Sequence, residues 1–202
     1  KLSVRDPVSK YYPHLTRATD ITLLDLMKHT SGYPDYYPLD FVDRRLVKPI
    51  SLEGLLRDYA GGQHDFEPGS RYSYSNTGYI LLGGVVEKVT GEKFGDFLTR
   101  RILKPLKLEH SKFGTSEGLP SPARGYNGFA LSPPERAIPE ASGWIDAAGG
   151  LWASASDLLR WNLALNSGKV LKPESYELMI APRKLTTGKI SNYGCGLQTH
   201  IQ

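Results

Sequence analysis

The chain has 202 residues, 40% of them apolar and 23% charged, which is the composition of an ordinary globular protein and excludes a disordered or fibrous one. Folding a chain of this length buries about 70% of its unfolded surface, enough for one real core. The net charge of +4 is spread along the chain, so nucleic acid is not an expected partner.

The densest basic pairs, Arg44-Arg45 and Arg100-Arg101, read as solvated helix faces. No apolar run approaches the roughly 20 residues that span a bilayer, and the chain opens on Lys1 with no charged-then-apolar leader, which leaves the compartment open. The single cysteine, Cys195, allows no intramolecular disulfide, and no Cys/His cluster has zinc-ligand spacing. Between Gly194 and Gly196 it reads as a small packed thiol rather than a nucleophile.

In chain order, Thr22 to His29 has apolar residues at helical spacing behind a hydroxyl cap, with Gly32 as a stop. Thr30 to Pro38 is an aromatic-rich loop built of turn residues. A second helix is expected over Ser51 to Tyr59, capped by Ser51 and closed by Gly61-Gly62. The clearest helix covers Asn76 to Val89 and ends at Gly91; its apolar residues fill more than one face, which predicts burial.

Phe94 to Leu103 reads as a fourth helix, broken by Pro105. Ser111 to Gly143, rich in Gly, Pro and Ser, is too long for a plain linker and is expected to wrap the surface. Ser154 or Ser156 caps a helix through Leu165, and a last one begins near Pro173. Beyond Pro182 the pattern changes to a hairpin at Thr187-Gly188 and a candidate strand over Tyr193 to Ile201.

The strongest chemical signal is Phe66 to Tyr79, where a Pro-Gly turn leads through Tyr74-Ser75-Asn76 into the buried helix. A helix N-terminus presents unpaired amides and a positive dipole end, so Tyr74 stands where negative charge is favoured and where a tyrosine can serve in proton transfer. Asn76 on the same edge offers an acceptor and two donors for a substrate amide or a lysine. On spacing alone, a packed tyrosine followed by an asparagine N-cap is the better account of these residues.

Several blocks occur in a fixed order around that segment: Asp6-Pro7-Val8, His29-Thr30-Ser31-Gly32, Tyr74-Ser75-Asn76, Leu103-Lys104-Pro105-Leu106, Ala148-Gly149-Gly150-Leu151 with Ser154, Asp157 and Trp161, and Tyr193-Gly194-Cys195-Gly196. Together they resemble the class C β-lactamase family, which includes D-Ala-D-Ala peptidases, penicillin-binding proteins and serine carboxylesterases. The resemblance implies an α/β, β-lactamase/transpeptidase-like fold and a serine acyl transferase that needs no cofactor. Tyr74 would shuttle the proton, Asn76 would position the substrate or a lysine, and Tyr36, Gly149 and Gly150 would line the substrate pocket.

The pattern breaks at two places. No serine is followed three residues later by lysine, so the Ser-x-x-Lys nucleophile motif is missing, and Thr186-Thr187-Gly188-Lys189 has the letters of the Lys-Thr-Gly strand in the wrong order. The chain is therefore expected to be mainly α with few short strands: residues 1–182 form the helical region, residues 183–202 begin a sheet region, and the main sheet is largely absent. By itself it is expected to be inactive, and prone to self-association through helix faces that a sheet would cover. The competing possibility is a non-catalytic binding module.

The substrate is expected to be a small or peptidic acyl compound. By resemblance, Tyr36 replaces a glutamine of the lactamases and Gly149 lies near the place of an aromatic ring, which favours an esterase or peptidase over a β-lactamase. Gly114-Thr115-Ser116-Glu117-Gly118 fits the nucleophile elbow of α/β-hydrolases, but the prolines at 120 and 122 oppose the helix it requires. His29, in the last turn of a helix, reads as structural, and His14, His64, His110 and His200 share no spacing.

Overall fold

The computed structural model describes residues 2–37, 45–128 and 132–199. After a 3-10 turn at Val8–Lys10, α1 spans Leu23–Met27, α2 Leu52–Ala60 and α3 Asn76–Thr90. Next come α4 at Phe94–Leu98, which continues into a π-helical turn at Thr99–Leu103, then α5 at Asp146–Gly149, α6 at Ala155–Asn166 and α7 at Pro173–Ile180.

The strands among the described residues form three antiparallel pairs. β1 (Ser111–Phe113) lies against β4 (Leu151–Ala153), β2 (Tyr126–Asn127) against β3 (Glu135–Arg136), and β5 (Arg183–Lys184) against β6 (Ile190–Ser191). The expected preponderance of helix with a few short strands is what the fold shows.

Local chemistry accounts for most helix starts. Thr22 accepts from the amide of Asp25 while the Asp25 carboxylate accepts from the amide of Thr22, a reciprocal cap. Ser51 caps α2 and Ser154 caps α6 in the same hydroxyl-to-amide manner. Gly91 closes α3 in the left-handed region and Pro173 opens α7 at its first position, as the sequence predicts.

Four expectations are corrected. α1 ends at Met27, not His29, because His29 itself takes a left-handed backbone (φ +54°) that turns the chain away. Asn76 is the first helical residue of α3 rather than its cap; Ser75 holds the cap position without a side-chain bond to the helix. The helix expected over Phe94 to Leu103 changes to π-type hydrogen bonding at Thr99.

The strand expected over Tyr193 to Ile201 is replaced by a tight turn, with a single bridge between Tyr193 and Gln198. The amide of Gly194 bonds the carbonyl of Leu197, and Gly196 has φ +79°. Residues 200 and 201 of that segment, Pro38 of the aromatic-rich loop, residues 129–131 of the 111–143 stretch and Arg44 of the first basic pair lie outside the described residues. The Gly114–Gly118 stretch runs from β1 into a turn with no helix after it, so it is no nucleophile elbow.

The core gathers Val8, Tyr12, Ile21, Leu26, Tyr36, Leu55, Leu56, Leu81, Val85 and Trp144, with α1 and α2 packed on α3. Two adjacent glycines make this packing possible. A Cβ on Gly83 would stand 2.4 Å from the Cβ of Ala147, and one on Gly84 2.4 Å from the hydroxyl of Tyr12, so α5 and the N-terminal segment press against bare α3 backbone.

The far end of the long 111–143 stretch is docked rather than loose. Ala141 donates to the carbonyl of Leu46, and the Trp144 indole to that of Lys48. By contrast, Leu158, Leu159 and Leu163 of α6 are all more than half exposed.

Candidate active site

Tyr74 and Asn76 flank Ser75 at the N-terminus of α3, and α3 brings no acidic residue or side-chain cap of its own to that end. The loop after α1 supplies the missing partners. The amide of Ser75 donates to Nδ1 of His29 at 3.1 Å, and the amide of Asn76 to Oδ1 of Asp35 at 3.0 Å. The hydroxyls of Ser75 and Thr77 both donate to the carbonyl of Pro34, at 3.3 and 2.6 Å.

Two of the orphan donors of a helix start are thus satisfied from across the fold, and a carboxylate sits at the positive end of the dipole. Gly32 makes the loop's approach possible, because its φ is +86° and an added Cβ would stand 2.3 Å from the carbonyl oxygen of Phe66.

Asp35 also decides which atom of Asn76 is free. The Nδ2 group lies 3.2 and 3.1 Å from the two Asp35 oxygens, and a carboxylate can only accept, so the nitrogen must face it. The amide oxygen of Asn76 makes no hydrogen bond among the described residues and is available as an acceptor.

Tyr74 is 50% exposed and its hydroxyl has no partner among the described residues. Its ring lies on the imidazole of His29, with centroids 4.3 Å apart and planes at 35°. Tyr79, Tyr193 and Tyr72 complete the surround of His29 at 5.0, 4.8 and 6.0 Å. The start of α3 therefore offers an exposed phenol and an amide oxygen, two positions apart in sequence and without partners among the described residues.

His29 is 2% exposed, and burial among these rings lowers its pKa to about 4. Its folded-state pKa lies below the 6.5 of a free histidine, so the unfolded chain takes up the proton first as pH falls. Stability from this group is complete above about 6.5 and is lost as pH falls toward about 4, roughly 3 kcal/mol in all. Urea midpoints at pH 7 and pH 4.5 should differ less in His29→Asn than in the unsubstituted chain; equal differences would refute this.

The other predicted site residues lie elsewhere. Tyr36 is buried in the core with its hydroxyl on the carbonyl of Trp144, which takes its side chain out of any pocket wall. Gly149 ends α5 and Gly150 caps it, bonded to β1 through the amide of Gly114. α5 meets α3 at Gly83, about two turns from Asn76, and neither glycine bonds to the Tyr74–Asn76 edge.

Sequence reasoning missed Asp35 altogether and read His29 as structural without its contact to Ser75. A signal existed: an N-terminus of α3 without its own acidic or side-chain cap requires partners from another segment. A cavity of about 710 Å³ opens between α4, the π-helical turn and β1, lined by Phe94, Lys104, Lys107, Phe113 and Asp146, and none of the predicted site residues borders it. Among the described residues no group of three or more His, Cys, Asp or Glu could hold a metal ion, and no helix is long and apolar enough to cross a membrane.

Comparison with known proteins gives a concordant result. The family described as Beta-lactamase matches residues 1–199. A putative penicillin-binding protein, PbpX, of Bacillus subtilis is 33% identical over 199 residues, which cover 97% of this chain and 47% of that protein. A D-aminopeptidase of Brucella anthropi is 28% identical over 87% of this chain and 34% of its own length.

Among solved structures, a D-stereospecific amidohydrolase from Streptomyces superposes with a TM-score of 0.79 at 27% identity, over 96% of this chain and 63% of that one. The chain thus spans less than half the length of these two curated relatives.

Proposed function

Because the chain belongs to the β-lactamase family, we propose that it forms the tyrosine side of a serine acyl-transfer site in a longer protein, whose nucleophilic serine, lysine and closing strand lie outside these residues. One observation carries the reading: an exposed phenol and an amide oxygen, neither with a hydrogen-bond partner among the described residues, stand two positions apart in sequence at the positive end of a helix. Neither group is tied down within the described fold, so both are free to meet a reacting partner.

In this reading Tyr74 relays the proton that leaves the serine hydroxyl as the acyl–enzyme bond forms, and returns one to the leaving group. The Asn76 oxygen accepts from the lysine ammonium or from a substrate N–H. Residues 1–182 contribute the helical region of the domain and residues 183–202 begin its sheet region, with the main sheet contributed from elsewhere.

The substrate class we infer is an amide or ester with a D-configured or small acyl group, handled by a peptidase or esterase rather than a β-lactamase. Relatives named as a D-aminopeptidase and a D-stereospecific amidohydrolase support it. Tyr36, buried as it is, adds nothing to this choice.

The test uses a fluorescent penicillin and a fluorophosphonate, read by mass spectrometry. The chain alone should stay unlabelled, whereas the full-length protein should be labelled at a serine preceding residue 1. Labelling of a serine within these 202 residues would defeat the reading. A full-length enzyme that hydrolysed a chromogenic cephalosporin faster than D-Ala-D-Ala peptides and short p-nitrophenyl esters would overturn the substrate class.

We also propose that the isolated chain self-associates through the Leu158, Leu159 and Leu163 face of α6. Sedimentation should show mass rising with concentration, and Leu159→Glu with Leu163→Glu should abolish the rise. A monomer at all concentrations would dispose of this.

A further inference from the structure

The acyl-transfer reading assigns Tyr74 and Asn76 but leaves unexplained a buried histidine seated directly behind them. We propose that His29 is a positioning residue for Tyr74, acting through Nδ1, which accepts the Ser75 amide, and through the ring face on which the Tyr74 ring rests. The inference rests on the acyl-transfer reading and adds to it the group that sets where the phenol stands.

Three observations converge on this role. The hydrogen bond from Ser75 fixes the peptide next to Tyr74 at 3.1 Å, and the carbonyl of His29 accepts the amide of Ser73 at 3.0 Å, so the backbone on both sides of Tyr74 is tied to one residue. The Tyr74 ring packs on the imidazole, and half of the residue is exposed.

The third is the state of the ring. Because Nδ1 accepts the Ser75 N–H hydrogen bond, the neutral ring carries its proton on Nε2, which is buried without a partner among the described residues. No further hydrogen bond competes for the imidazole, so its orientation answers to Ser75 and to the surrounding rings. Those rings belong to Tyr72, Tyr74, Tyr79 and Tyr193; Tyr79 is itself held by its hydroxyl on the carbonyl of Met27 at 2.8 Å.

A proton relay depends on placement to within a fraction of an ångström, and a misplacement of about 1 Å costs on the order of a hundredfold. The residue that fixes the two flanking amide positions should therefore appear in kcat rather than in KM.

The backbone at 29 is left-handed, which asparagine tolerates well, and asparagine can present its amide oxygen where Nδ1 stands. Phenylalanine keeps a ring face but offers no acceptor. The two substitutions separate the hydrogen bond from the stacking.

The test measures kcat and KM against pH in the full-length protein for His29→Asn, His29→Phe and Tyr74→Phe, with circular dichroism to confirm folding. We expect His29→Phe to lower kcat by about ten- to a hundredfold with KM changed less than about threefold, and His29→Asn to recover most of the loss. On the chain itself, nitrogen NMR should show Nδ1 unprotonated and Nε2 protonated at neutral pH, whether or not His29→Phe folds.

A protonated Nδ1, unchanged kcat in a folded His29→Phe, or His29→Asn as impaired as His29→Phe would each overturn the proposal. So would loss of an acid limb of the rate profile in His29→Asn, which would make His29 itself a proton carrier. Should Tyr74→Phe be fully active, the acyl-transfer reading falls first; should it be inactive while the His29 variants are unimpaired, only the positioning role falls.

Discussion

Replacing Tyr74 by phenylalanine in the full-length protein is expected to lower kcat/KM for D-residue amides or short esters by about 10²–10⁴-fold, the usual worth of a positioned proton-transfer group. That corresponds to about 3–5 kcal/mol of transition-state stabilisation. The substitution removes one oxygen that has no hydrogen-bond partner among the described residues and keeps the ring that lies on His29. Folding should therefore be unaffected, and kcat should fall with kcat/KM while KM holds. A kcat/KM within about threefold of the unsubstituted value would remove Tyr74 from the mechanism.

The largest expected effect on stability belongs to Asp25. Its carboxylate is buried and accepts from the Thr22 amide at 3.0 Å, the Thr22 hydroxyl at 2.5 Å, the Thr30 hydroxyl at 3.1 Å and the guanidinium of Arg183. It caps α1, fixes the start of the loop that carries His29 and Asp35, and ties that loop to the β5–β6 hairpin.

Asp25→Ala leaves these donors without an acceptor and is expected to cost about 3 kcal/mol, toward the lower end for breaking a buried pair because Arg183 keeps some access to water. Arg183→Met, which leaves the two threonines bonded, should cost less. Urea unfolding of both variants checks the order; a loss under about 1 kcal/mol for Asp25→Ala would show the network to be incidental.

Elements whose ends depend on their own residues were legible in the sequence. Ser51, Ser154, Pro173 and Gly91 mark helix boundaries that the structure reproduces, and Thr187-Gly188 lies in the β5–β6 hairpin. Elements settled by distant partners were not. α1 stops early because His29 turns the chain toward α3, and nothing near His29 in sequence announces that contact.

The candidate site divides along the same line. Tyr74 and Asn76 could be read from a local motif set among ordered blocks, whereas the bond from Asn76 to Asp35 joins residues 41 positions apart. Tyr36 failed for a related reason: a position in a loop says where the backbone passes, but its side chain turned inward to Trp144.

The lacing of the 29–37 loop to the start of α3 has a thermodynamic consequence. The backbone of Ser75 and Asn76 and the side chain of Asn76 are immobilised by partners within the fold, so their conformational entropy is surrendered when the chain folds. A ligand arriving at this edge finds little left to order, and the free energy of its contacts goes into affinity or rate rather than into assembling the surface.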